Sequence, residues 1–236
     1  MLKISHFSKT YKNGKKAVDD LNLEIHKGEL FGLIGHNGAG KTTTLKSIAG
    51  ILNFEQGEIL IDGKSISKEP VECKKKMAFL PDNPELYDYL TGIEYLNFIC
   101  DVYRVSSEAR TLKIKELSDD FDLTSALGNK ISSYSHGMKQ KLALISAFVH
   151  NPDLILMDEP FVGLDPLASF KLKNRMKQMC EQGGVIIFST HVLEVAEKLC
   201  TRAAIMKDGH LVICDKMETL CQNQSLEELF LEVLDE

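Results

Sequence analysis

A glycine-rich segment lies between an apolar run and a helical pattern in the first quarter of the chain, and it limits the folds that this chain can adopt. Residues 30–34 are apolar without interruption, apart from one glycine, which is typical of a strand covered on both faces. Glycines then stand at positions 35, 38 and 40, and residues 41–51 have the apolar spacing of a helix. We therefore predict a strand, a loop and a helix in this order, the unit from which parallel α/β sheets are built.

The loop in this unit has the sequence of a phosphate-binding loop. The pattern GxxxxGK followed by Ser or Thr occurs here as Gly35-His36-Asn37-Gly38-Ala39-Gly40-Lys41-Thr42, with Thr43 next. Glycines let backbone N–H groups curl around phosphate oxygens, and the following helix presents its positive end to the same anion. Lys41 suits the β- and γ-phosphates, Thr42 suits magnesium, and Thr43 suits the α-phosphate. A glycine-rich turn with a chance lysine is the competing interpretation.

Two adjacent carboxylates follow a second apolar run, at residues 154–157. Such a run predicts a buried strand that delivers Asp158 and Glu159 at its carboxyl end, where the ligands of open α/β sheets gather. We predict that Asp158 holds magnesium through water and that Glu159 is the base for an attacking water molecule. An acidic turn ended by Pro160 is the plainer alternative.

A third motif precedes an amphipathic run and begins at Tyr134, with the sequence YSHGMKQK. By residue type, Ser135 is an N-cap, and Gly137 leaves room for a close approach to the first helical turn. A helix start with free N–H groups can bind an anion, although a capped helix alone would have the same sequence.

These motifs resemble, in order and spacing, the nucleotide-binding domains of ABC transporters, and the resemblance covers essentially the whole chain. It implies an α/β fold of the ABC-type P-loop NTPases: a mixed sheet core, an antiparallel β portion near the N-terminus and an inserted helical subdomain. The ATP-binding core would comprise residues 1–83 and 151–236. The helical subdomain would comprise residues 84–150, where apolar spacing predicts helices at 91–105, 107–121 and 137–150.

The resemblance also implies roles for single residues. The cofactors would be ATP and Mg²⁺, and the signature residues would bind the nucleotide held by the opposite subunit; they are Ser135, His136, Gly137 and Met138. His191 matches the switch histidine that contacts the γ-phosphate and orients Glu159. Tyr11 matches the aromatic residue that stacks on adenine, although a half-buried strand-end tyrosine is the alternative. Residues 163–165 would lie at the dimer contact.

The sequence departs from the family pattern at two places, and these departures bear on the direction of transport and on the magnesium site. The signature form with His136 and Met138 looks like that of export-type subunits, which implies outward transport. Asp82 stands where the family usually has a glutamine that senses magnesium and couples to the membrane partner. A carboxylate can bind a hard cation, but Asp82 can also be read as an ordinary turn residue after Pro81.

The composition of the chain limits the classes of partner that we expect for it. A balance of 28 basic against 34 acidic residues gives no basic footprint for nucleic acid. The six cysteines lack zinc or disulfide spacing, and no apolar run approaches the about 18 residues that span a bilayer. We expect a cytoplasmic protein, peripheral on the inner face of the membrane, with a second nucleotide-binding subunit and separate transmembrane permease subunits. Two alternative functions are considered. One is that of a family member that acts on ribosomes or DNA, and the other is that of a module that binds ATP without hydrolysing it.

Overall fold

The computed structural model describes residues 1–235 and contains two sheets flanked by helices. The strands of this part of the chain are β1 (Leu2–Thr10), β2 (Lys16–Ile25), β3 (Leu30–Ile34), β4 (Gln56–Ile61), β5 (Lys64–Ser65), β6 (Met77–Leu80), β7 (Leu154–Asp158), β8 (Val185–Thr190), β9 (Arg202–Lys207) and β10 (His210–Lys216). The helices are α1 (Lys41–Ile48), α2 (Pro70–Lys74), α3 (Gly92–Val102), α4 (Ser107–Asp120), α5 (His136–Phe148), α6 (Pro166–Glu181), α7 (Leu193–Leu199), α8 (Met217–Leu220) and α9 (Leu226–Asp235).

The larger sheet has the strand order β10-β9-β3-β8-β7-β6, and only β10 runs antiparallel to its neighbour. Every residue of β3, β7 and β8 is buried, which explains why these strands are apolar along their length. Their carboxyl ends meet at one edge of the sheet and carry the phosphate loop, the acidic pair and His191 there.

The smaller sheet is the antiparallel β portion predicted near the N-terminus, with the order β2-β1-β4-β5. Its apolar face packs with one side of the larger sheet in a core that includes Phe7, Ile25, Phe31 and Leu45. The predicted fold class, a mixed sheet with an N-terminal antiparallel sheet and helices, is therefore confirmed.

Between β6 and β7 the chain is helical, with α3, α4 and α5 and two short 3-10 turns at Thr124–Ala126 and Ile131–Ser133. A side-chain oxygen caps each helix, from Thr91, Ser106 and Ser135 respectively. Because Ser135 is the cap, α5 begins at His136, one residue before the predicted start.

Ion pairs join α4 and its C-terminal end to α6. The Arg175 guanidinium lies 2.6 Å from a Glu116 carboxylate oxygen and also contacts Asp120. Lys171 lies 2.9 Å from Asp122. These pairs, together with a shared apolar core, fix the helical segment against the sheet.

Several elements were not anticipated from the sequence, among them the 16-residue helix α6 and the strands β4 and β10. The last described helix is α9, and Glu236 lies outside the described residues. In residues 1–235 we find no helix with the length and apolar character needed to cross a membrane.

Candidate functional site

The phosphate loop opens onto a cleft of about 230 Å³ at the carboxyl edge of the large sheet. Its lining residues are Tyr11, Lys15, Ala17, Asn37, Gly38, Gly40, Lys41, Thr42, Thr43, Asp82, Asp158 and Glu159. The loop, the acidic pair, Asp82 and Tyr11 come from four separate parts of the sequence. The structure thus brings together most of the residues predicted to bind the nucleotide.

Two loop glycines are required by what surrounds them. A Cβ at Gly35 would lie 2.5 Å from the Met206 carbonyl oxygen, and Gly40 has a left-handed φ of 107°. A Cβ at Gly40 would lie 2.6 Å from the Ala17 carbonyl oxygen. The loop is therefore pressed against β9 and β2, and side chains at these positions would displace it.

The Lys41 side chain is buried and turned back onto its own loop. Its Nζ donates to the carbonyl oxygens of Gly35, at 2.5 Å, and His36, at 3.1 Å. Burial lowers the pKa of Lys41, and the nearby Glu159 and Asp158 carboxylates oppose that shift. The ammonium is thus held between loop carbonyls and two carboxylates, at the mouth of an anion-binding loop.

The remaining residues of the phosphate loop differ in their exposure. Asn37 and Gly38 are exposed, whereas Ala39 is fully buried. The His36 ring is hydrogen-bonded through Nδ1 to the Asn37 carbonyl oxygen at 2.9 Å, and Nε2 lies 3.6 Å from an Asp208 oxygen. His36 therefore secures the loop from outside and does not line the cleft.

The acidic pair is held by one serine of the neighbouring strand. Asp158 is only 3% exposed, and the Ser189 hydroxyl donates to its Oδ1 at 2.5 Å. The same hydroxyl accepts the backbone N–H of Glu159 at 3.0 Å. Glu159 itself has a left-handed φ of 48°, which is uncommon for a residue with a Cβ.

His191 lies beside the second carboxylate. Its Nδ1 is 3.0 Å from Glu159 Oε1, and the imidazole is exposed while the carboxylate is largely covered. The predicted proximity of His191 and Glu159 is therefore present in the geometry, although these residues are separated by a strand and a helix in the chain.

Tyr11 and Asp82 both line the cleft. The Tyr11 hydroxyl is within hydrogen-bond distance of Thr43 Oγ1, at 3.1 Å, and 38% of Tyr11 is exposed. Asp82 is exposed and follows β6 by two residues. Within residues 1–235 no three His, Cys, Asp or Glu side chains cluster as a metal site, so a cation there would need Thr42, water or phosphate oxygens as further ligands.

The cleft suits ATP and Mg²⁺ by its donor set. It offers a helix N-terminus at Gly40, one buried ammonium and hydroxyl groups for phosphate oxygens. It also offers carboxylates, which are hard oxygen ligands of the kind that magnesium prefers. Exposed Tyr11 at the rim supplies an aromatic face for a base.

The segment from Ser135 to Met138 lies at the start of α5, away from this cleft. Ser135 accepts the Met138 backbone N–H at 3.3 Å, as predicted for an N-cap. Ser135 and His136 are exposed, and Gly137 and Met138 are half-buried. Of the residues that the structure describes, none of these four lines the phosphate cleft of its own chain.

The segment at residues 163–165 packs against that helix start. A Cβ at Gly163, whose φ is 78°, would lie 2.8 Å from the His136 ring. Asp165 caps α6 by accepting the Ala168 N–H at 2.8 Å, and Lys141 lies 2.8 Å from its other oxygen. The Lys141 hydrogen bond lowers the pKa of Asp165. Asp165 thus has a structural role within one chain that the sequence did not indicate.

Two residues near the cleft were missed by sequence reasoning. Lys15 lines the cleft from the turn after β1, and its signal was one lysine among several nearby. Ser189 contacts both members of the acidic pair. Its only signal was a hydroxyl at the end of an apolar strand, where a parallel sheet collects polar residues.

Comparison with known proteins agrees with this architecture. The sequence model described as ABC transporter matches residues 18–162. The chain is similar to the ABC transporter ATP-binding protein NatA of Bacillus subtilis, at 34% identity over 97% of this chain and 95% of that protein. It is also similar to the linearmycin resistance ATP-binding protein LnrL of the same organism, at 35% identity over 94% of this chain and 71% of LnrL.

Solved structures give the same result. An ATP-binding subunit of an ABC transporter superimposes with a TM-score of 0.95 at 33% identity, covering 99% of both chains. The ATP-binding cassette MJ0796, in a dimeric post-hydrolysis state with ADP and Pi, superimposes with a TM-score of 0.84 at 28% identity over 92% of this chain and 99% of that chain. The chain therefore belongs to the ABC transporter family, in which it is an ATP-hydrolysing, ATP-binding subunit.

Proposed function

We propose that this subunit completes its ATPase site only when a second nucleotide-binding subunit supplies the helix start at Ser135. The observation that carries this proposal is the separation of two anion-binding features in one chain. The phosphate loop lines the cleft, whereas Ser135 and Gly137 lie outside it at the start of α5. An exposed, capped helix start fits a phosphate presented by another molecule.

In this proposal the cleft residues make separate contacts with the nucleotide and the metal ion. Lys41 binds the β- and γ-phosphates, Thr43 the α-phosphate, and Tyr11 stacks on adenine. Thr42, Asp82 and, through water, Asp158 would hold Mg²⁺, which would neutralise charge on the phosphates. The backbone of the loop, from Gly35 to Gly40, surrounds the phosphate oxygens.

Glu159 is the proposed general base of hydrolysis. It accepts a proton from the water molecule that attacks the γ-phosphorus, while the bond to the bridging oxygen breaks and ADP and phosphate form. The imidazole of His191, 3.0 Å from Glu159, orients this carboxylate through Nδ1 and leaves Nε2 for the γ-phosphate. Both ring nitrogens are thereby used, which explains why a histidine suits this position.

We also propose that the chain works as two lobes. Residues 1–83 and 151–236 form the ATP-binding core, and residues 84–150 form the helical lobe that carries Ser135. Closure of two subunits on ATP would bring each helical lobe onto the partner's cleft, and hydrolysis would reopen them. Such a change follows from tighter ATP binding in the closed state.

A cluster of aromatic side chains supports docking of a separate membrane permease subunit on the helical lobe. Tyr87 and Tyr89 are 46% and 73% exposed, and the Tyr87 ring lies 5.7 Å from that of Phe98, itself 43% exposed. Asp82 is exposed five residues before Tyr87. Exposed aromatic groups at this density are typical of protein interfaces. This docking would hold the subunit at the inner face of the membrane.

Outward transport is the proposed direction. It rests on the signature form with His136 and Met138 and on the similarity to a linearmycin resistance protein. The nature of the cargo would be set by the permease subunits.

Mixing two inactive variants tests the shared site. Ser135→Arg blocks the helix start, and Lys41→Ala removes the phosphate ligand, so each homodimer should be inactive. A mixed dimer keeps one intact pair: Lys41 from the first variant and Ser135 from the second. We expect ATP hydrolysis to return on mixing, and nucleotide binding to survive in Ser135→Arg but not in Lys41→Ala.

Two controls make this experiment decisive. Wild type mixed with a large excess of Lys41→Ala, so that nearly every wild-type subunit pairs with the variant, shows whether one intact site is sufficient for turnover. Lys46→Ala, on the same helix as Lys41, controls for the loss of a lysine. If the wild-type mixture shows that one site suffices, and the two inactive variants still do not complement, the shared site is refuted.

A further inference from the structure

The residue opposite Asp158 in the sheet joins the two acidic residues of the site. Strands β7 and β8 are parallel, and Asp158 is paired with Ser189 in their register. Ser189 is fully buried, with no exposed surface. Its single hydroxyl proton is donated to Asp158 Oδ1 at 2.5 Å, and its oxygen accepts the Glu159 N–H at 3.0 Å.

Each of these two hydrogen bonds fixes one of the two acidic residues of the site. The first fixes the carboxylate of a residue that is 3% exposed, where few other donors are available. Among residues 1–235, Ser189 makes the one protein hydrogen bond to the Asp158 side chain, which leaves Oδ2 for the cleft. The second anchors the backbone of Glu159 in its left-handed conformation, at a φ of 48°.

We propose that Ser189 is a positioning residue that sets Asp158 for magnesium and Glu159 for water at the same time. This inference rests on the roles proposed above for the two carboxylates. A hydroxyl is the smallest group that can donate to one partner and accept from the other in a buried site. Alanine would remove both contacts and leave a buried carboxylate oxygen and a buried N–H without partners.

The neighbouring residue shows that this arrangement is particular to position 189. The Thr190 hydroxyl is also buried, yet it accepts the Val192 N–H at 3.0 Å and so belongs to the turn that leads to α7. Side chains alternate between the two faces of a strand, so only one of the two hydroxyls can face Asp158.

The test compares three variants of the full chain: Ser189→Ala, Ser189→Thr and Ser47→Ala. Ser47 is a matched control because its hydroxyl is fully buried in α1 and has no hydrogen-bond partner. For each variant we would measure kcat, KM for ATP, the Mg²⁺ concentration that gives half-maximal rate, and Tm. Partners of metal-binding groups affect affinity or activity by about 10- to 100-fold.

We expect Ser189→Ala to lower kcat at least about tenfold and to raise the half-activating Mg²⁺ concentration about threefold or more. Its KM for ATP should stay within about twofold, because Lys41 and the loop remain in place. Ser189→Thr restores the hydroxyl and should keep kcat within about threefold of wild type. Ser47→Ala should match wild type in all three kinetic values.

Three results would overturn the positioning role. One is a Ser189→Ala variant with wild-type kcat and Mg²⁺ dependence. Another is a folded Ser189→Thr variant that is as impaired as Ser189→Ala. The third is a loss of Tm and active fraction with an unchanged Mg²⁺ requirement, which would mark a purely structural serine. Glu159→Gln distinguishes failure of the positioning role from failure of the proposed function. If this variant hydrolyses ATP normally, the proposed role of Glu159 as the base is wrong, whatever the Ser189 variants show.

Discussion

Replacing Gly40 by alanine should damage the phosphate loop through two separable effects. Gly40 has a φ of 107° at the N-cap of α1, and a residue with a Cβ loses about 1–2 kcal/mol in a left-handed conformation. The new Cβ would also lie 2.6 Å from the Ala17 carbonyl oxygen. Forcing extra atoms into a packed site costs about 1–3 kcal/mol, so the total is about 2–5 kcal/mol.

Gly14 provides the matched control. Its φ is 82°, and an added Cβ would meet nothing within 4 Å, so Gly14→Ala carries only the conformational cost. Gly40→Ala should therefore unfold at a lower temperature than Gly14→Ala, by about 2–4 °C for each kcal/mol of overpacking. Because the strained residue lies in the loop, ATP affinity should fall at least about tenfold in Gly40→Ala alone.

Thermal unfolding and equilibrium ATP binding measure the two effects independently. Equal Tm and equal Kd in Gly40→Ala and Gly14→Ala would refute the argument from close packing, because the two variants share the left-handed cost. A lower Tm with unchanged ATP affinity would show that the loop moves away from β2 and still binds phosphate.

Two further predictions concern the helical lobe. Replacing Tyr87 and Tyr89 by serine should leave ATP binding and Tm nearly unchanged but reduce co-purification with the permease subunit and its transport, because both rings are exposed; unfolding, or full transport, would contradict this placement. The His150 ring stacks on Tyr103 with centroids 3.6 Å apart, and burial lowers the pKa of His150, against an opposing contribution from the backbone of Met77 and Ser146. Below about pH 6.5 this histidine is protonated in the unfolded chain but stays neutral in the folded chain. The free energy of unfolding should therefore fall as the pH drops below about 6.5. Urea unfolding of wild type and His150→Phe between pH 7 and pH 5 checks this, and parallel pH slopes would contradict it.

Motifs that encode their own local structure could be predicted from the sequence. The phosphate loop follows a buried strand and opens a helix, so its glycines and Lys41 identify both the conformation and the ligand. The acidic pair follows a buried strand in the same way. Parallel strands then bring both motifs to one edge, which a reader of the sequence can infer without knowing the strand order.

Contacts that join distant parts of the chain could not be predicted from the sequence. Ser189 lies 31 residues from Asp158, and only the pairing of β7 with β8 makes them neighbours. Asp165 likewise pairs with Lys141, 24 residues before it, and its place at the dimer contact stays a prediction. Lys41 turns back onto the carbonyls of its own loop, a contact that no spacing rule specifies.

Glu159→Gln tests both the role of Glu159 as the general base and the sharing of the site between two subunits. The amide keeps the shape of the side chain but cannot take a proton, so phosphate release should nearly cease while ATP affinity is retained. With less negative charge near the γ-phosphate, ATP should also hold the variant as a stable dimer. Phosphate release and mass in the presence of ATP are the measurements. Turnover within a few-fold of wild type would contradict the role of Glu159 as the base, and a monomer with ATP bound would contradict the shared site.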